Sequence, residues 1–155
     1  MVQLFILDIG SKVVSSKGNS LDMDYQQDTG LLALIKNLSP ELNQGEYVFC
    51  TIPDNKAVIH LDAVAIFQEK EGRTLILKRQ TADREKLVYQ TVMSWISFNV
   101  YSSLDAVGLT AAISHVLAKN NISCNMIAAY HHDHVFVSYQ DAEKAMAVLT
   151  QLSLE

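Results

Sequence analysis

Between Ser94 and Leu117 the spacing of apolar residues changes from every second position to helical. That change constrains the fold more than any other feature. In "SWISFNVY", Ile96, Phe98 and Val100 fall on one side of an extended chain, with Trp95, Ser97, Asn99 and Tyr101 on the other. Directly afterwards Leu109, Ala112, Ile113, Val116 and Leu117 take the spacing of one helix face. A strand buried on one face that feeds an amphipathic helix requires a sheet with a helical layer packed on it.

The rest of the C-terminal half continues this plan. Ser102 with Asp105 three residues on resembles a capping box and predicts the helix start, and Asn120-Asn121 predicts its stop. "ISCNMIAAY" reads as a strand, "HHDH" as a turn and "VFVS" as the returning strand. Ser138 and Asp141 cap a last helix, buried through Ala142, Ala145, Leu149 and Leu152.

In the N-terminal half, Leu31, Leu34, Ile35 and Leu38 predict a helix that Pro40 and Gly45 end. "EYVFCTIP" is a strand closed by Pro53. Ala63–Gln68 and Arg73–Lys78 form a hairpin around "EKEG", where Gly72 is free to take a positive φ. "TADREKLVY" is a short helical or irregular piece. Both halves are parts of an α+β, βαββαβ plan: antiparallel sheets with helices on one face. No low-complexity linker divides the chain, so two subdomains, 28–92 and 93–155, are expected to share strands. Residues 1–27 read as a flexible leader, with Met23 as an alternative start.

Composition narrows the function. A net charge of −5 speaks against a nucleic-acid binder and against an anionic membrane surface as partner. No apolar run approaches the roughly 20 residues of a membrane span. The opening "MVQLFILDIGSK" has no basic n-region, and Asp8 interrupts its apolar run, so export is not expected. Cys50 and Cys124 stand far apart in strand-like runs and read as buried free thiols of a cytoplasmic protein.

"YVFCTIP" and "YSSLDAVGLTAAISHVLAKNNISCNMIAAYHHDHVFV", with the amphipathic helix after them, resemble the bacterial tandem ACT-domain proteins, a group related to the CASTOR-like ACT domains. The resemblance runs from about Thr29 to Leu152. It implies two intertwined ferredoxin-like units, pairing into a homodimer or higher homo-oligomer, no cofactor, and an amino acid bound at an interface near the first strand-to-helix turn. Here that turn holds Ser102, Ser103, Leu104, Asp105, Val107 and Gly108; Gly108 matches the family's glycine, and Val107 stands where the family usually has proline. Asp133-His134 resembles an aspartate-histidine pair near the pocket in the CASTOR-like group. Asn125 and Met126, on the adjoining strand, are wall candidates.

The residues themselves leave fewer chemistries open. His131, His132, Asp133 and His134 are neighbours in sequence, so their side chains diverge, and zinc needs three or four converging ligands. No nucleophile stands in a known motif, and no HExxH occurs, so neither a metal site nor an enzyme is expected. Two readings of Asp133 stand side by side. It accepts backbone N–H bonds in a turn, or it pairs with a ligand's ammonium. Ser102 and Ser103 likewise read as helix caps, as ligand contacts, or as both, because a helix N-terminus suits a carboxylate. Two functions follow: an amino-acid-binding regulatory module, or an interaction module with a vestigial pocket that docks on a partner protein.

Overall fold

The computed structural model describes residues 29–54, 61–100 and 107–154. The expected leader, His60, Tyr101 and the turn residues Ser102, Ser103, Leu104 and Asp105 lie outside these. The elements run α1 (Thr29–Lys36), β1 (Pro40–Leu42), β2 (Tyr47–Ile52), β3 (Ala65–Glu69), β4 (Gly72–Lys78), α2 (Arg79–Arg84), β5 (Val92–Phe98), α3 (Leu109–Lys119), β6 (Cys124–Ala128), β7 (Asp133–Ser138) and α4 (Ala142–Leu152).

All the strands belong to one antiparallel sheet of order β3-β4-β2-β5-β7-β6, with β1 also on β5. β5 is the joint. One of its edges pairs with β7 from Met93 to Phe98. Its other edge is divided: β1 takes Phe98 to Ile96, and β2 takes Met93 and Val92. Both halves therefore close on the same strand, which is why no independent linker separates them.

Period-two alternation decides the faces. Ile96, Phe98, Val135 and Val137 turn toward the helices and are fully buried with Ile113, Leu117, Ala145 and Leu149. Val48, Cys50, Leu75 and Leu77 form a second core on the same side, covered by Ala82 of α2 and by Leu61 and Leu87. The opposite face is aromatic. Tyr47 meets Trp95 edge-on at 5.4 Å, and Phe49 meets Phe136 edge-on at 5.4 Å, arrangements that favour ring edges against ring faces.

α1 shows why the halves are intertwined. Its buried Leu31 and Ile35, with Leu38 just beyond its end, join the core made by α3, α4 and the C-terminal strands. The N-terminal helix thus serves the C-terminal half.

Several expectations change. Pro40 ends α1 and also opens β1; a proline is tolerated at a strand's first residue because no ladder N–H is needed there. The hairpin is tighter than expected, with Glu69 opposite Gly72 and only Lys70 and Glu71 between. Gly72 has φ +143, and a Cβ there would lie 2.5 Å from the Ile52 carbonyl oxygen, so close backbone approach as well as turn geometry demands glycine. β5 ends at Phe98, earlier than its pattern suggests, although Val100 stays buried. α3 begins at Leu109 with Gly108, not a serine, as N-cap. Asn120 and Asn121 do stop it, Asn121 at φ +57. A short 3-10 turn, Tyr139–Asp141, precedes α4, and neither Ser138 nor Asp141 caps through its side chain. Cys50 is buried, Cys124 only half-buried, and both are free thiols.

Candidate functional site

The predicted site residues divide between the two faces of the sheet. The "HHDH" turn is shorter than read: β7 already begins at Asp133, and the turn closes with the Ala129 N–H donating to the His132 carbonyl at 3.2 Å. Asp133 lies opposite Phe98 on one side and Ala128 on the other. Ladder pairing, not turn chemistry, fixes its backbone. By alternation with Val135 and Val137 its side chain faces the helices, and the residue is only 6% exposed. His134 takes the other face.

Val107 and Gly108 belong to the same end and side of the sheet as Asp133, where β5 hands over to α3. Val107 is 81% exposed. Gly108 has φ +101, and its carbonyl accepts the Ala112 N–H at 2.8 Å. A Cβ on Gly108 would come within 2.8 Å of Leu31 Cδ2. The close approach that requires glycine is therefore α1 packing on the start of α3. Met126 is buried in the helix-side core and Asn125 is half-buried on the aromatic face, so the two do not share a wall.

On the aromatic face His134 enters a polar chain that sequence reading missed. Asn43 Nδ2 donates to Ser97 Oγ at 2.8 Å, and His134 Nδ1 lies 3.1 Å from the same oxygen. Ser97 Oγ can give its hydrogen to His134 Nδ1 or accept a second hydrogen from it, so either neutral ring tautomer completes the chain. The indole of Trp95 stands edge-on to the imidazole at 5.4 Å. Burial pushes the His134 pKa down, opposed by the charge of Asp133. The imidazole is neutral at pH 7, and the chain joins Asn43 of the N-terminal half to two residues of the C-terminal half.

The hydroxyl–imidazole contact of Ser97 and His134 is part-buried, and its oxygen is already engaged by Asn43. Burial raises the thiol pKa of Cys50 and of Cys124, so both cysteines are held as thiols. Among the described residues no group of three or more His, Cys, Asp or Glu side chains is placed to hold a metal ion, and no helix is long and apolar enough to cross a membrane.

Comparison with known proteins agrees with this architecture. One ACT-domain family matches residues 28–94 and a second ACT-domain family matches residues 90–151. No curated protein matches. Among solved structures, a Vibrio cholerae protein of unknown function, described as a possible transport protein, is 40% identical; the match covers 80% of this chain and 96% of that one, with a TM-score of 0.73. An Agrobacterium tumefaciens protein is 16% identical over 75% of this chain and 89% of its own, with a TM-score of 0.64. The regulatory subunit of aspartate kinase from Thermus thermophilus, ligand-free, shares the fold at 11% identity, over 73% of this chain and 95% of its own, with a TM-score of 0.54. Two ferredoxin-like units sharing one sheet, both matched in sequence, place the chain in the family of tandem ACT-domain proteins.

Proposed function

We propose that the chain is a non-catalytic regulatory module that binds a small amino acid at the end of the sheet where β5 passes into α3. The observation that carries this is Asp133, a carboxylate only 6% exposed, on the same end and face as the start of α3. With Gly108 as N-cap, the Leu109, Thr110 and Ala111 N–H groups have no acceptor within the helix. Such a helix start favours a carboxylate, and Asp133 is the matching group for an ammonium. Val107 and Gly108 border this seat and Met126 lies in the core behind it; Ser102, Ser103, Leu104 and Asp105 are assigned to it by the family resemblance alone. Asn125 and His134, on the other face, drop out of it. The Thermus regulatory subunit supports a regulatory role for this fold, and the family resemblance supports pairing of two copies in the cytoplasm.

Native mass spectrometry of the full chain with each protein amino acid in turn reads ligand and oligomer together. The expected result is a dimer that retains one amino acid, with Asp133→Asn weakening its binding by about 1–3 kcal/mol. If Asp133→Asn lowers only the melting temperature and leaves affinity intact, Asp133 serves the strand end alone. If no amino acid is retained and none raises the melting temperature, the docking-module reading replaces this one; the exposed Val107 and Tyr130, 81% and 72% accessible, would then be the first surface to test.

A further inference from the structure

The passage from β5 to α3 is held at both ends by one segment of the N-terminal half. At the α3 end, Leu31 of α1 packs against Gly108: a Cβ on that glycine would stand 2.8 Å from Leu31 Cδ2, 3.5 Å from Cδ1 and 3.7 Å from Cγ. At the β5 end, the Asn99 N–H donates to the Ser39 carbonyl at 2.9 Å, and Asn99 Nδ2 donates to Glu41 Oε2 at 2.8 Å. Leu31, Ser39 and Glu41 all belong to the stretch that runs from α1 into β1.

That stretch is itself firmly set. The Asn37 N–H donates to the Ala33 carbonyl at 3.2 Å and the Leu38 N–H to that of Ile35 at 3.0 Å, so α1 turns directly into β1. Leu31, Ile35 and Leu38 share a core with Leu109 and Ala112 of α3. β1 then pairs along β5, with Pro40 opposite Phe98, and Phe98 has Asp133 of β7 on its other side. Pro40, Phe98 and Asp133 therefore stand in one row across the sheet. The α1–β1 stretch thus reaches both parts of the proposed seat, the strand start that carries Asp133 and the helix start that Gly108 opens.

The contact at Gly108 bears on binding. A glycine at φ +101 has no side chain of its own to fix it, so its backbone is set by what packs on it. That backbone aims the free N–H groups of the first turn of α3, the groups that would receive a carboxylate. Hydrogen bonds weaken steeply when donor and acceptor are misaligned.

We infer that the α1–β1 stretch is a clamp on the seat, with Leu31 and Glu41 as positioning residues that do not touch the ligand. The first ACT match, residues 28–94, then sets the affinity of a seat built in the second, residues 90–151. The inference rests on the amino-acid-binding reading above and adds its regulation: a shift of α1 changes how tightly the seat holds its occupant.

The test is calorimetry on the full chain with the protein amino acids one at a time. For an amino acid that binds wild type, Kd should rise at least fivefold in Leu31→Ala and at least threefold in Glu41→Ala. It should stay within twofold of wild type in Leu31→Met, which keeps the side-chain volume. Leu117→Ala is the control, since it empties a fully buried position of the same core about 12 Å along α3 from Leu109. It should lower the melting temperature about as far as Leu31→Ala and leave Kd within twofold. A Kd within twofold of wild type in both Leu31→Ala and Glu41→Ala, or a loss in Leu117→Ala that matches the one in Leu31→Ala, overturns the clamp. The seat itself then stands if Asp133→Asn still weakens binding. Glu41 is exposed, so its variant keeps the fold and decides alone where Leu31→Ala does not fold. Failure of every amino acid to bind the wild-type chain overturns both readings.

Discussion

The two halves of the sheet build their helix-side cores from unequal resources. In the N-terminal half, β2 and β4 are covered by the six-residue α2 and by two leucines from irregular segments, Leu61 and Leu87. In the C-terminal half, β5, β6 and β7 lie under α3 and α4, each of eleven residues, and receive α1 as well. Sequence order assigns α1 to the first ACT match, residues 28–94. Packing assigns it to the second core. A tandem repeat in sequence is therefore not a pair of autonomous cores, because one repeat lends its opening helix to the other and takes an edge of β5 in return.

Adjacent leucines on α1 put this to the largest test. Leu31 is 4% exposed and in the C-terminal core, whereas Leu32 is 37% exposed. Leu31→Ala should cost about 2–5 kcal/mol, and Leu32→Ala no more than about 0.5 kcal/mol, in urea unfolding followed by circular dichroism. Equal costs would mean that α1 is not docked as described. A wild-type transition in two separate steps would show the halves to be more independent than their shared strand implies.

Gly108 tests the same contact from the other side. Its φ of +101 is strained for any side chain, and an added methyl meets Leu31. Gly108→Ala should cost about 1–3 kcal/mol. In the Leu31→Ala background the cost should shrink, because the clash is gone and only backbone strain remains. An undiminished cost would remove Leu31 from the account of this glycine. The Leu31 contact gives this glycine an internal reason that stands beside a place at the ligand seat, and the affinity of any bound amino acid is the separate measurement.

What could be read from the sequence was local. The faces of β5 and the stripes of α3 and α4 follow from periodicity, and the structure has them as expected: Ile96, Phe98 and Val100 beneath the helices, Trp95 and Ser97 opposite. What could not be read depends on partners far along the chain. Pro40–Leu42 has no strand signal of its own and is a strand only because β5 offers it an edge, more than fifty positions away. The helix start at Leu109 was obscured by a serine-aspartate pattern that favours an earlier cap. The division of Asp133 from His134 follows from the same alternation, since neighbours in an extended chain face opposite ways.

The aromatic face offers the finest test of how the halves are joined. There the link is polar, running from Asn43 through Ser97 to the His134 imidazole. Burial lowers the folded pKa of His134 below its ordinary 6.5. Just below pH 6.5 the unfolded chain consequently binds more protons at this position than the folded one, and stability rises with pH. The contribution is complete above the unfolded value and is lost as pH falls below it. Denaturant unfolding at steps from pH 8 to 5.5 should show wild type losing stability over the lower part of this range, and His134→Asn losing less, since asparagine keeps a polar group but does not titrate. Parallel curves for the two proteins would place the pH dependence elsewhere and reduce the Asn43–Ser97–His134 chain to packing. A wild-type curve that falls more steeply, together with a lower plateau for Asn43→Ala at pH 8, would identify this chain as the polar counterpart of the α1 contact, each tying one half of the protein to the other on its own face of the sheet.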